Sequence, residues 1–114
     1  MIGGMRIPLL GLLLLLSCRP EPSIPIPIEV TLKGGEVIVQ NMGAVGEVTF
    51  IDLAVNDHYL DSIAAPAAGQ TKAVPLGDFI QSDRRFQPSQ QAVQSVYVGD
   101  GLHKFKAHVF IFRQ

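Results

Sequence analysis

The stretch EVTFIDLAVNDHYLDSI, residues 47–63, decides the fold. Ile51, Leu53 and Val55 recur at every second position, with Asp52 and Asn56 on the opposite parity. A period of two is that of a strand with one buried face and one wet face. Asn56-Asp57 then interrupts the run, and both residue types favour turns because their short side chains hydrogen-bond the local backbone. HYLDSI, residues 58–63, resumes the apolar pattern, so the stretch predicts a β-hairpin.

The same reading extends in both directions. IEVTL (28–32) and EVIVQ (36–40) flank Lys33-Gly34-Gly35, a tight-hairpin signal. NMGAVG (41–46) and AAPAAGQ (64–70) read as loops, and TKAVPL (71–76) as a fifth strand. VQSVYV (93–98) and KFKAHVFIF (104–112) flank Gly99-Asp100-Gly101, a second predicted hairpin turn. The single helical signal is Asp78 with Gln81 three residues on, which predicts one turn over residues 79–83. Short strands at this spacing predict an all-β, immunoglobulin-like antiparallel sandwich of about seven strands, residues 28–114.

The last strand disagrees with itself. Phe105, Ala107, Val109 and Ile111 share one parity, and Lys104, Lys106 and His108 mark the other as wet. Phe110 and Phe112 nevertheless fall on the lysine side. Either a bulge re-registers the strand end, or another segment covers the rings. The alternative to both is that the rings are exposed as a contact surface, since large apolar patches on monomers usually serve one.

The amino terminus has a different character. Arg6 precedes an apolar run from Ile7 to Leu16, a charged region followed by a ten-residue apolar core of signal-peptide length. A membrane-spanning helix needs about 20 apolar residues, so a transient leader over residues 1–17 is expected. Residues 18–27 contain four prolines, at 20, 22, 25 and 27. They predict an extended polyproline II tether. The alternation of Ile24, Ile26 and Ile28 with proline also fits an irregular edge strand lying along the domain.

Leu15-Leu16-Ser17-Cys18 resembles the lipobox of bacterial lipoproteins. That resemblance implies cleavage between Ser17 and Cys18 and acylation of the Cys18 sulfur, with no cofactor. It places the chain outside the cytoplasm on a bacterial cell envelope, in the outer membrane where the cell has one, because Arg19 stands where aspartate marks inner-membrane retention. Cys18 is the chain's single cysteine, and a thioether removes an otherwise unpaired thiol from an oxidising compartment.

A second resemblance covers about residues 37–88. Val39, Asn41 and Gly43 match a V-x-N-x-G turn, Asn56 and Tyr59 an N-x-x-Y hairpin, and Pro66 and Gly69 a strand entry. Asp78, Phe79, Arg85 and Phe86 match a D-F…R-F segment. Together they are similar to small Ig-like domains of bacterial surface lipoproteins. The likeness implies a fold and no activity.

Chemistry-bearing patterns are sparse. A net charge of −1 and scattered basic residues exclude the concentrated basic face that nucleic acid requires. Serines 62, 82, 89 and 95 lack a nucleophile elbow, so an enzyme is not expected. Asp57, His58 and Asp61 form the densest polar cluster and are the weak candidates for a metal or solute site. Arg84-Arg85, before Phe86, is the one adjacent basic pair and a candidate contact with an anionic partner. The expected function is a non-enzymatic, lipid-anchored domain that binds or supports an envelope component through Phe110, Phe112, Arg84 and Arg85.

Overall fold

A computed structural model of the chain describes residues 24–43, 48–102 and 104–112. The lipobox, Ser17 and Cys18 included, lies outside these residues. Seven main strands are present: β1 (Ile28–Lys33), β2 (Glu36–Asn41), β3 (Phe50–Val55), β4 (Tyr59–Ala64), β5 (Thr71–Pro75), β8 (Ser95–Asp100) and β9 (His108–Ile111). Two further strands, β6 (Ile80–Gln81) and β7 (Arg84–Arg85), form a minimal hairpin between β5 and β8. Two antiparallel sheets result, one ordered β1-β2-β5 and the other β7-β6-β4-β3-β8-β9. This is a β-sandwich, and its order agrees with the three-strand and extended GFC sheets of the immunoglobulin-like arrangement.

The hairpin turns follow from backbone chemistry. Gly34 and Gly35 both have positive φ (57° and 81°), as do Asn56 and Asp57 (53° and 66°). Two consecutive positive φ values make the type I′ turn, whose twist matches that of the flanking strands. Asn56 does more than turn the chain. Its Oδ1 accepts from the N–H groups of Gln94 (2.6 Å) and Ser95 (3.1 Å), and its Nδ2 donates to the Ala92 carbonyl (2.9 Å). The β3–β4 turn is thereby fastened to the entry of β8. Asn56→Ala removes all three bonds and leaves an alanine at positive φ, so it should cost about 2–3 kcal/mol. Denaturant unfolding measures this, and a loss below about 0.5 kcal/mol would show the fastening to be idle.

Ile51, Leu53 and Val55 are buried as their parity requires, facing Val37 and Val39 of the other sheet in one core. Phe79 and Phe86 are the largest fully buried side chains and close one side of that core. Asn41 is buried and fully used: Nδ2 donates to the Pro66 carbonyl, and Oδ1 accepts from Gly43 N–H, each at 2.9 Å. Gly43 lies so close to Pro27 that a Cβ would stand 2.7 Å from the proline ring. The V-x-N-x-G pattern is therefore a staple between two loops and the start of β1.

Four expectations need correction. The turn over residues 79–83 is not helical. Among the described residues the one 3₁₀ turn is Leu76–Asp78, and Phe79 is extended because its ring must enter the core. Gly99 and Asp100 belong to β8 rather than to a turn. Asp100 is buried, with its carboxylate oxygens accepting from the N–H groups of Leu102 and Lys104 at 2.9 Å each. That carboxylate organises a longer hairpin connection, and β9 begins only at His108.

The parity of the last strand is also reversed. His108 pairs with Val98 and Phe110 with Val96, both inward-facing positions, so His108, Phe110 and Phe112 share the inner side. Phe110 and Phe112 are half-buried against the core, while Val109 and Ile111 are exposed. Lys104 and Lys106 precede the strand, and their wetness carries no information about its faces. His108 meets the Phe110 ring edge-on, with centroids 4.4 Å apart.

The tether boundary at residue 27 moves as well. Ile26 N–H donates to the Lys106 carbonyl (2.9 Å) and Lys106 N–H to the Ile24 carbonyl (2.7 Å), a parallel bridge about Pro25. Ile26 is buried in the core. Of the two readings of the Ile-Pro alternation, the structure has the irregular edge strand, and residues 24–27 belong to the folded unit.

Candidate functional site

Large apolar side chains left in water are the informative feature of a surface otherwise polar. Ile24, Met42, Phe50, Leu60, Ile80, Leu102, Val109 and Ile111 are exposed in this way. Leu60, Ile80, Val109 and Ile111 lie on the outer face of the six-stranded sheet, and strand register shows why they meet. Arg85 pairs with Ile80, Ile80 with Leu60, Leu60 with Ala54, Ala54 with Tyr97, and Tyr97 with Val109. Directly opposed residues point to the same side. One row therefore crosses all six strands, about 24 Å at ~4.8 Å per strand, with a guanidinium at one end and Ile111 flanking the other.

The middle of the row is flat. Tyr97 lies over Gly99, where an added Cβ would stand 2.6 Å from the phenol oxygen. Ala54 is small and buried beneath its larger neighbours. The next row is polar: Ser62 Oγ donates to Asp52 Oδ1 at 2.8 Å. This apolar strip is narrow and bordered by hydrogen-bonding groups.

The expected contact residues divide accordingly. Phe110 and Phe112 belong to the core side, and exposure on that strand passes to Val109 and Ile111. Arg84 and Arg85 are both exposed on β7. Arg85 stands in the outer row and donates from Nη1 to the Gly77 carbonyl at 3.2 Å. Arg84 and Arg85 both line an open groove of about 580 Å³ with Tyr59, Asp83, Gln87, Gln90 and Gln91. Gln91 Nε2 donates to the Tyr59 hydroxyl at 3.1 Å, and the groove lining holds amides and guanidinium groups but no serine, cysteine or histidine. Such a lining can hydrogen-bond a ligand.

Asp57, His58 and Asp61 do not converge. Asp57 and His58 are exposed at the turn, while Asp61 sits within β4 and its Oδ1 accepts from Ser62 N–H. Among the described residues, no three His, Cys, Asp or Glu side chains are grouped to hold a metal ion. Every buried side-chain polar atom among the described residues has a hydrogen-bond partner, so none is left aimed at an absent ligand.

No family model, curated protein or solved structure gives a significant match to this chain.

Proposed function

We propose that this protein is a lipid-anchored, non-enzymatic domain of a bacterial cell envelope that binds or props another envelope component through the outer face of its six-stranded sheet. The lipobox resemblance at Leu15-Leu16-Ser17-Cys18 supports the anchoring. The row Arg85–Ile80–Leu60–Ala54–Tyr97–Val109 carries the binding, because three of its side chains, Ile80, Leu60 and Val109, are exposed and apolar and cost solvation with little return to the fold. A narrow apolar strip with a polar border and a terminal arginine has the anatomy of a contact surface.

The test replaces two exposed row residues, Leu60 and Val109. Leu60→Glu with Val109→Glu should leave Tm within a few degrees of the parent and abolish at least nine-tenths of a specific envelope cross-link. A photo-reactive group at position 80 reports that cross-link, with Glu36→Lys, on the other sheet, as the control that preserves it. An unchanged cross-link in the double variant would rule this face out as the contact.

A further inference from the structure

The other four exposed apolar residues, Ile24, Met42, Phe50 and Leu102, are each 58–63% exposed. The topology brings them to one end of the sandwich. That end is formed by the start of β1, the end of β2, the start of β3, the ends of β4 and β8 and the approach to β9. The contacts agree. Met42 N–H donates to the Pro27 carbonyl, Lys106 N–H to the Ile24 carbonyl, and Gly101 N–H approaches the Phe50 carbonyl. Leu102 and Lys104 are both held by the Asp100 carboxylate. The opposite end carries the polar tips Lys33-Gly34-Gly35 and Asn56-Asp57-His58.

Lys104 and Lys106 are exposed on the same end. Asp100, the acid beside them, is buried with both oxygens spent on backbone N–H groups; Asp52, near Gly101, is exposed on the outer face of the six-stranded sheet with Oδ1 accepting from Ser62 Oγ, and Glu29 stands on the outer face of the three-stranded sheet. An apolar tip edged by two lysines is therefore the chemistry of a bilayer interface, where apolar groups enter the acyl boundary and lysines meet anionic headgroups.

The length of chain outside the structure points the same way. Only residues 19–23 separate Cys18 from Ile24, a reach of at most about 22 Å even when fully extended. If Cys18 carries lipid, this end is the one leashed to the bilayer. A six-residue strand adds about 20 Å, so the opposite tips could meet the surface only with the leash drawn out almost to its full length.

We infer that the end bearing Ile24, Met42, Phe50, Leu102, Lys104 and Lys106 docks on the anionic phospholipid surface that holds the Cys18 lipid. This rests on the anchoring part of the proposed function. Docking fixes the domain upright and presents the six-stranded face sideways, along the membrane plane.

The chain contains no tryptophan, so one introduced indole reports its own surroundings. The full lipidated protein carrying Leu102→Trp is reconstituted into vesicles of phosphatidylethanolamine and phosphatidylglycerol with brominated acyl chains. Its emission should shift to the blue and be quenched, while His58→Trp at the far tip keeps the emission of water. Adding Lys104→Glu and Lys106→Glu should lower the docked-to-undocked ratio at least about 20-fold, at roughly fivefold per lysine lost. Protein that floats with the vesicles yet shows Leu102→Trp unquenched overturns the docking and leaves the anchor standing. Protein that does not float refutes the anchor, and the docking falls with it. A lipid-independent blue shift that grows with protein concentration would assign this end to a second copy of the chain instead.

Discussion

Phe86→Ala is expected to destabilise the domain by about 3–5 kcal/mol, the usual range for emptying a buried phenylalanine site. Stabilities of small domains fall at about 5–15 kcal/mol, so this removes about a fifth or more of the total. The position explains the size. Phe86 and Phe79 are the largest side chains fully withdrawn from water, and Phe86 N–H donates to the Phe79 carbonyl at 2.8 Å. Tyr59 meets the Phe86 ring edge-on, with centroids 5.2 Å apart and planes at 87°. Between the two phenylalanines, β6 and β7 are two residues each, exposed throughout, and joined to the sheet only at Ile80–Leu60. The phenylalanines are thus what holds this hairpin down. Removing one ring should lower Tm by at least about 12 °C and loosen Ile80 and Arg85, the end of the outer row. Phe86→Leu, which keeps most of the volume, should cost no more than about 1.5 kcal/mol. A loss under 1 kcal/mol for the alanine variant would mean that the hairpin is held by something other than its flanking rings.

The sequence made the sandwich legible wherever pattern and pairing are local. Ile51, Leu53 and Val55 alternate within one strand, and Gly34-Gly35 and Asn56-Asp57 announce turns whose positive φ values are properties of those residues. The reading failed where long-range packing overrides local pattern. Residues 79–83 carry a capping signal worth about 1 kcal/mol, whereas burying the Phe79 ring is worth more, and the backbone extends to deliver it. The parity count fails at the β8–β9 connection because Asp100, buried and hydrogen-bonded to the backbone of Leu102 and Lys104, ends β8 two residues after the expected place. Phe110 and Phe112 were then assigned to the wrong face, although the disagreement between rings and lysines was itself visible.

The candidate surfaces were less legible than the fold. Arg85, Ile80, Leu60, Ala54, Tyr97 and Val109 come from six strands spread over residues 54–109, and only the register aligns them. Leu60, taken alone, is one exposed leucine on a strand, which needs no explanation. A usable signal did exist: outward parity in β3, β4 and β8 gives Ala54, Leu60 and Tyr97 once the hairpin turns are accepted. The end surface is harder, since Ile24, Met42, Phe50 and Leu102 sit in or beside loops where no periodicity applies.

Cys18→Ser should convert the protein from one that sediments wholly with membranes to one that fractionates as a free chain, or as an uncleaved precursor. The magnitude follows from the chemistry of the anchor. Each buried methylene contributes about 0.8 kcal/mol, and two or more acyl chains exceed the threshold at which attachment becomes stable. Serine supplies no thiolate for the thioether, so the variant loses every chain at once. Four exposed apolar side chains and two lysines cannot replace them. Lysines near an anionic surface contribute about 1 kcal/mol each, and a contact of that size dissociates on dilution. Any residual binding of Cys18→Ser should therefore weaken sharply in high salt, because the lysine share of it is electrostatic, while membrane retention of the parent should be indifferent to salt. Flotation of both proteins in low and high salt reads this out, with the acyl mass on the mature amino terminus as the second measurement. Salt-resistant membrane association of Cys18→Ser, or a mature chain that begins beyond Cys18 without acyl mass, would place the anchor elsewhere and remove the basis for docking at the Leu102 end.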